Sequence, residues 1–152
     1  MKRRTLLRGL SAPGVSRLLA TASAVLSQRA IAAEPDPFQA ESVDAVMRML
    51  GVSEPAVSDA IAIDVPKVAE DGSTVPVNIE SQIPRTVAIF TIVSGNPRPL
   101  AAKHRLGPKA VAAVGSRVKM RKTSEVIVIV EADGRHYLAK REVKVTLGGC
   151  GG

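Results

Sequence analysis

Tryptophan is absent from this chain, tyrosine and cysteine occur once each, and there are two phenylalanines and two histidines in 152 residues. So few aromatic rings leave almost nothing on which the bases of a single-stranded nucleic acid could stack. One thiol can build neither an intrachain disulfide nor a thiolate metal cluster. The two histidines, His104 and His136, stand apart from any cluster of acids and make a poor metal site; both are expected at the surface. No nucleophile, base and acid converge in the sequence, which argues against an independent enzyme. No apolar run is long and strong enough to span the hydrocarbon of a membrane.

Acidic residues are also scarce, but unevenly so. The formal net charge is +7. The first 32 residues hold six of the 21 bases (Lys2, Arg3, Arg4, Arg8, Arg17, Arg29) and no acid, which leaves 15 bases against 14 acids beyond them. The basic character belongs mostly to the leader, and nucleic acid is set aside as a partner. Behind the leader, residues 33–80 carry ten acids and two bases, and residues 81–152 carry thirteen bases and four acids.

The leader reads as an export signal. A basic start is followed by an Ala/Leu/Val run to Leu26, and Ala30-Ile31-Ala32 supplies the small residues a signal peptidase requires. The Arg3-Arg4 pair with Leu6-Leu7 resembles a twin-arginine signal, the route for proteins exported already folded; an ordinary secretory signal is the alternative. Residues 1–32 are therefore expected to be a twin-arginine leader and the mature chain to begin near Ala33 in a bacterial periplasm. That compartment is oxidising, so an unpaired cysteine there is conspicuous.

Asp36-Pro37-Phe38-Gln39 has the capping residues of a helix start, Val43, Val46, Met47 and Leu50 recur at helical spacing, and Gly51 stands at the stop. From Ala60 the period changes. Six Val/Ile-rich stretches are expected as strands: 60–65, 74–80, 85–93, 117–121, 125–132 and 135–147. Asp133-Gly134 is a two-residue hairpin signal, and Pro66 and Pro76 mark strand ends or edges. Asn96-Pro97-Arg98-Pro99 and Gly107-Pro108 bound a crossover to which the pattern assigns no element. Strands without intervening helices predict an all-β fold over residues 33–147: an immunoglobulin-like antiparallel β-sandwich with a short N-terminal helix and a flexible C-terminal arm. Arg117, Lys119 and Arg121 alternate with apolar residues as a cationic strand face, fit either for anionic adducts and acidic partners or for simple solvation. Tyr137 is a core or interface residue.

The last predicted strand runs straight into Gly148-Gly149-Cys150-Gly151-Gly152. Glycines on both sides of Cys150 leave its sulfur unobstructed, and the five-residue tail extends at most about 17 Å. An ordinary thiol is only partly thiolate near neutral pH, so further activation falls to a partner. Prenylation is excluded, because only two residues follow the cysteine. A terminal Gly-Gly is shared with ubiquitin-like sulfur carriers, but the leader and the strand pattern count against that fold. An intermolecular structural disulfide is a further alternative, giving a periplasmic immunoglobulin-like binding or structural module dimerised through its cysteine.

The stretch Val143-Lys144-Val145-Thr146-Leu147-Gly148-Gly149-Cys150-Gly151-Gly152 resembles the terminal signature of the SoxY family, sulfur carriers of the periplasmic thiosulfate-oxidising (Sox) system. The resemblance continues upstream through residues 68–77, the Asn96-Pro97 loop and Asp133-Gly134, covering essentially the mature chain. It implies a heterodimer with SoxZ, a second small sandwich protein, and Cys150 as the site of covalent sulfur attachment, with Gly148, Gly149, Gly151 and Gly152 as the carrier arm. It further implies service to a SoxXA cytochrome, a SoxB hydrolase and, where present, a sulfane dehydrogenase. The carrier would be non-catalytic, with no cofactor or metal beyond the sulfur intermediates it holds.

Overall fold

The computed structural model describes residues 35–147. The leader and the tail with Cys150 and its four glycines lie outside the described residues.

The expected N-terminal helix is divided. The Asp36 carboxylate accepts from Phe38 N and turns Pro37–Gln39 into a single 3-10 turn. Ala40 then leaves in an extended conformation, and Ser42 caps a separate helix α1 (Val43–Met49) by accepting from Ala45 N. Each short polar cap satisfies an amide that helix geometry leaves unpaired, so two local starts compete and both are used. Gly51, at φ +70, ends the helix in the left-handed conformation that glycine adopts without strain.

Among the described residues nine strands follow: β1 (Ala56–Val57), β2 (Ile61–Asp64), β3 (Val68–Asp71), β4 (Val75–Ser81), β5 (Thr86–Val93), β6 (Leu100–Arg105), β7 (Ala113–Val118), β8 (Ser124–Ala132) and β9 (Arg135–Leu147). They form two sheets. The larger has the order β1-β9-β8-β5-β6, with β3 also paired to β9; the smaller is β2-β4-β7. The main ladders are antiparallel, and the sandwich is of immunoglobulin-like type. Two short parallel pairings, β1 and β3 with successive halves of β9, depart from the purely antiparallel expectation.

Beside the six expected strands the structure shows β1, β3 and β6. The last lies inside the crossover that carried no assignment. The strand expected at 117–121 is instead β7, ending at Val118, with 119–123 as a loop. Pro76 lies within β4, the middle strand of the smaller sheet, yet β2 reaches only to Asn78, so at Pro76 the strand is paired on the β7 side alone. Asp133 and Gly134, at φ 50 and 68, make the I′ hairpin whose twist matches its strands.

The larger sheet is buried on both faces. Ile89 and Val93 of β5 and Val126, Val128 and Val130 of β8 point between the sheets, against Val75, Val77 and Ile79 of β4. Their neighbours Ala88, Phe90, Ile92, Ile127 and Ile129 point the other way, against Val46 of α1 and Val52. This explains why β5 and β8 read as continuous apolar runs rather than alternating ones. Each fully buried Val, Ile or Phe contributes about 1.5–3 kcal/mol.

Candidate functional site

β9 is the element that carries the tail, and its last turns are held from both sides. On one side β3 runs alongside in parallel, pairing Val68 with Lys144, Ala69 with Val145 and Asp71 with Leu147. The Thr146 hydroxyl donates to Glu70 O at 3.1 Å. On the other side Ser124 of β8 pairs with Val143, and Val145 N donates to the Thr123 hydroxyl at 3.0 Å. Val143 is fully buried. The base of the tail is therefore a clamped strand end.

Three loops share this end of the sandwich: residues 72–74, 94–99 and 119–123. The first is tied by Asp71, whose carboxylate accepts from Ser73 N at 2.7 Å and from the Ser73 hydroxyl at 2.6 Å. The hydroxyl bond, then the amide bond, hold this carboxyl below its ordinary pKa. Gly72 O accepts from Met120 N at 2.7 Å, and Met120 is buried in the sandwich core, which pins the third loop to the first. The second loop is pinned to the third by one side chain. The Asn96 amide donates to Lys119 O at 2.6 Å and accepts from Arg121 N at 3.1 Å. The same loop is fastened to β8 by Ser94, whose hydroxyl accepts from Glu125 N and whose amide donates to Glu125 O.

Between the second and third loops lies an open recess of about 670 Å³ lined by Glu41, Asn96, Pro97, Arg98, Lys119 and Arg121. The two loops carry Arg98, Lys119, Arg121 and Lys122 and no acid. Among the described residues the ion pairs are Arg85–Asp133 and Lys140–Glu125, so none of these four cations is neutralised by a carboxylate within 4 Å.

The expected cationic face is thus rearranged. Arg117 lies on β7 opposite Pro76, lining a shallow trough with Asn78 and Gly115 on the smaller sheet, while Lys119 and Arg121 leave the strand and turn to the recess. Sequence reasoning missed Arg98 and Asn96 as members of this group; the signal available was the Asn-Pro-Arg-Pro turn, which fixes a loop but not its neighbour. His104 is not in a loop. It sits on β6 opposite Ile89, half-buried, with a buried Nε2 that has no partner. His136 lies on β9 opposite Glu131. Three strand spacings separate β6 from β9, about 14 Å, so the histidines do not meet. Among the described residues no three His, Cys, Asp or Glu side chains are grouped as metal ligands. No helix among them is long and apolar enough to cross a membrane. Tyr137 packs, half-buried, on the sandwich core with the Arg135 guanidinium 5.8 Å from its ring centre.

The fold defines a small sandwich whose last strand is braced on both sides at its C-terminal end, the end that also carries the cationic recess. The family model for the sulfur oxidation protein SoxY matches residues 46–150, a stretch that reaches the cysteine. Among solved structures the chain is similar to the sulfur carrier protein SoxY from Chlorobium limicola f thiosulfatophilum, at 36% identity over 68% of this chain and 94% of that one, with a TM-score of 0.62. A superoxide reductase (neelaredoxin) from Ignicoccus hospitalis shares the fold at 15% identity and a TM-score of 0.53, covering 60% of this chain and 94% of that one. No curated protein matches significantly. The chain belongs to the SoxY family of sulfur oxidation proteins.

Proposed function

We propose that this protein is a periplasmic sulfur carrier that holds thiosulfate-derived intermediates covalently on Cys150 and presents them to the Sox enzymes. The observation that carries the reading is the match to the family up to residue 150, joined to a β9 end braced on both sides three residues before the thiol. A carrier needs a firm base and a free end. Gly148, Gly149, Gly151 and Gly152 supply the free end, because residues without a Cβ turn in directions closed to others.

Loading is an oxidation: the thiol and thiosulfate lose two electrons and one proton as the new S–S bond forms, giving Cys–S–S–SO₃⁻. The electrons go to the haem of SoxXA. Hydrolysis by SoxB then adds water across the terminal bond, releasing sulfate and two protons and leaving Cys–S–S⁻. A sulfane dehydrogenase, where present, oxidises the sulfur that remains. The carrier itself supplies no base, metal or cofactor to these steps. Residues 1–32 act as a twin-arginine leader, and the mature chain from Ala33 pairs with SoxZ; export of a folded pair accounts for that route.

Protein taken from thiosulfate-grown cells should show sulfur-containing mass adducts on Cys150 that vanish on reduction, and Cys150→Ser should abolish thiosulfate oxidation. Unmodified thiol alone under those conditions, or normal oxidation by the serine variant, would overturn the carrier reading. A disulfide-linked dimer required for activity would replace it with a structural role for the cysteine.

A further inference from the structure

The recess between residues 94–99 and 119–123 has features that solvation alone does not require. Its three cations come from two loops distant in sequence, and one side chain, Asn96, fixes both loops by two hydrogen bonds. Gly95 approaches Ser124 so closely that an added Cβ would lie 2.7 Å from the Ser124 Cβ, which leaves the loop no slack on that side. The backbone that carries the positive charges is therefore held in place before anything binds, an arrangement that lowers the entropic expense of taking up an anion. Of the other recesses, one on the smaller sheet includes Asp64 and Glu80, the trough beside it carries the single cation Arg117, and the one at the opposite end is lined by Ile83, Val87, Leu106 and Pro108 among others.

The recess is also within reach of the tail. Leu147 pairs with Asp71, the next residue Gly72 accepts from Met120 N, and Met120 stands between Lys119 and Arg121. With paired backbones about 5 Å apart and successive Cα atoms 3.8 Å apart, the path from Leu147 to Arg121 is at most about 18 Å. The three residues to Cys150 extend about 10 Å, and a sulfur adduct and an arginine side chain each add about 6 Å at ordinary bond lengths.

We propose that this recess is an oxyanion cradle for the carrier arm, in which the terminal sulfonate of an adduct on Cys150 docks among Arg98, Lys119 and Arg121. The idea rests on Cys150 as the attachment site and adds a resting place for the loaded arm. Docking draws the S–S bond against the protein surface and shields it from free thiols. Removal of the sulfonate as sulfate takes away the three oxygens that were held and leaves a shorter persulfide of the same charge, so hydrolysis loosens the arm. Glu41 on the rim opposes binding and keeps the cradle weak enough for partners to withdraw the adduct.

The test uses ¹⁵N-labelled protein purified after export and loaded chemically, so that docking is read whether or not cells place sulfur on Cys150. The Cys150 thiolate attacks one divalent sulfur of tetrathionate, the central S–S bond breaks, and thiosulfate leaves with the electron pair, yielding Cys–S–S–SO₃⁻; intact mass confirms the adduct. The amides of Asn96, Arg98, Lys119 and Arg121 should shift in this form and, as sulfate is added, move towards the positions they take in unloaded protein saturated with sulfate. They should not shift after carbamidomethylation, which gives a neutral adduct. The double variant Arg98→Gln, Arg121→Gln should lose the shift, and Glu41→Gln, an exposed change, should lower the sulfate concentration at which the same amides shift in the unloaded protein. Shifts confined to residues beyond Leu147, or the same shifts with the neutral adduct, would overturn the cradle. So would a recess that responds to free sulfate but not to the loaded arm. Docking without adducts in cells would instead leave the cradle standing and remove the carrier reading.

Discussion

The two ends of the sandwich are built from the same strands and closed in opposite ways. At the end where β8 turns into β9, a two-residue hairpin does the closing, and its Asp133 carboxylate receives both Nε and a terminal nitrogen of Arg85 in a forked pair. That pair is matched, while Arg105, Lys109 and Arg135 at the same end have no carboxylate within 4 Å among the described residues, and the neighbouring recess is largely apolar. At the end where β9 stops, two loops of five and six residues bring in four cations and no acid, and backbone and amide hydrogen bonds rather than ion pairs hold them together. Matched charges stabilise slightly and offer nothing to a ligand. Unmatched charges held by neutral hydrogen bonds stay available, at the cost of mutual repulsion. The contrast is between a hairpin end whose recess is largely apolar and an end where two hydrogen-bonded loops gather three cations around one recess.

The sharpest way to break the contrast is Gly95→Ala. The new Cβ would meet the Ser124 Cβ at 2.7 Å and its Oγ at 2.8 Å, and the Cβ cannot swing aside as a hydroxyl can. Overpacking of this kind costs about 1–3 kcal/mol. Denaturant unfolding should show that loss, and the displaced loop should also weaken sulfate binding at the recess. An unchanged midpoint would mean that the loop is not seated on β8 as described.

Asn96→Ala comes next. It removes the acceptor of Arg121 N and the donor to Lys119 O, both partly open to water, for an expected loss of about 1–2 kcal/mol. Its sharper signature is separation of two readouts. Anion binding should fall by more than stability alone explains, because the cations remain while their spacing is released. Equal binding in the variant would show that charge, not geometry, sets affinity.

Much of this fold was legible because the driving patterns are local. β5 and β8 announce themselves as unbroken Val/Ile runs, α1 by helical spacing, and the hairpin by Asp133-Gly134. β6 was not legible. Leu100-Ala101-Ala102-Lys103-His104-Arg105 has little apolar alternation and is a strand because β5 offers it a ladder. β3 depends in the same way on β9, and β1 is two residues long. At the site, Lys119 and Arg121 were visible as cations. Their union with Arg98 was not, since it depends on an Asn96 contact that spans more than twenty residues and leaves no periodic trace. Cys150 and its glycines stand out in the sequence by composition alone, one cysteine among four glycines, and lie outside the described residues.

The smallest expected effect lies at the opposite end and tests the other half of the contrast. The Arg85 side chain, first by its hydrogen bonds and then by its charge, holds the Asp133 carboxyl below its ordinary pKa. The folded state therefore binds fewer protons than the unfolded state between the lowered value and the ordinary one, and stability rises with pH across that window. The contribution is complete above the ordinary carboxylate value and disappears as pH falls through the folded one. Both partners are well exposed, so water and salt screen it heavily. Asp133→Asn should thus lower stability slightly at neutral pH, flatten the acid limb of the stability profile, and leave sulfate binding at the far recess unchanged. A loss of anion binding in this variant would show that the two ends are coupled through the shared strands, and that the division of labour between them is not clean.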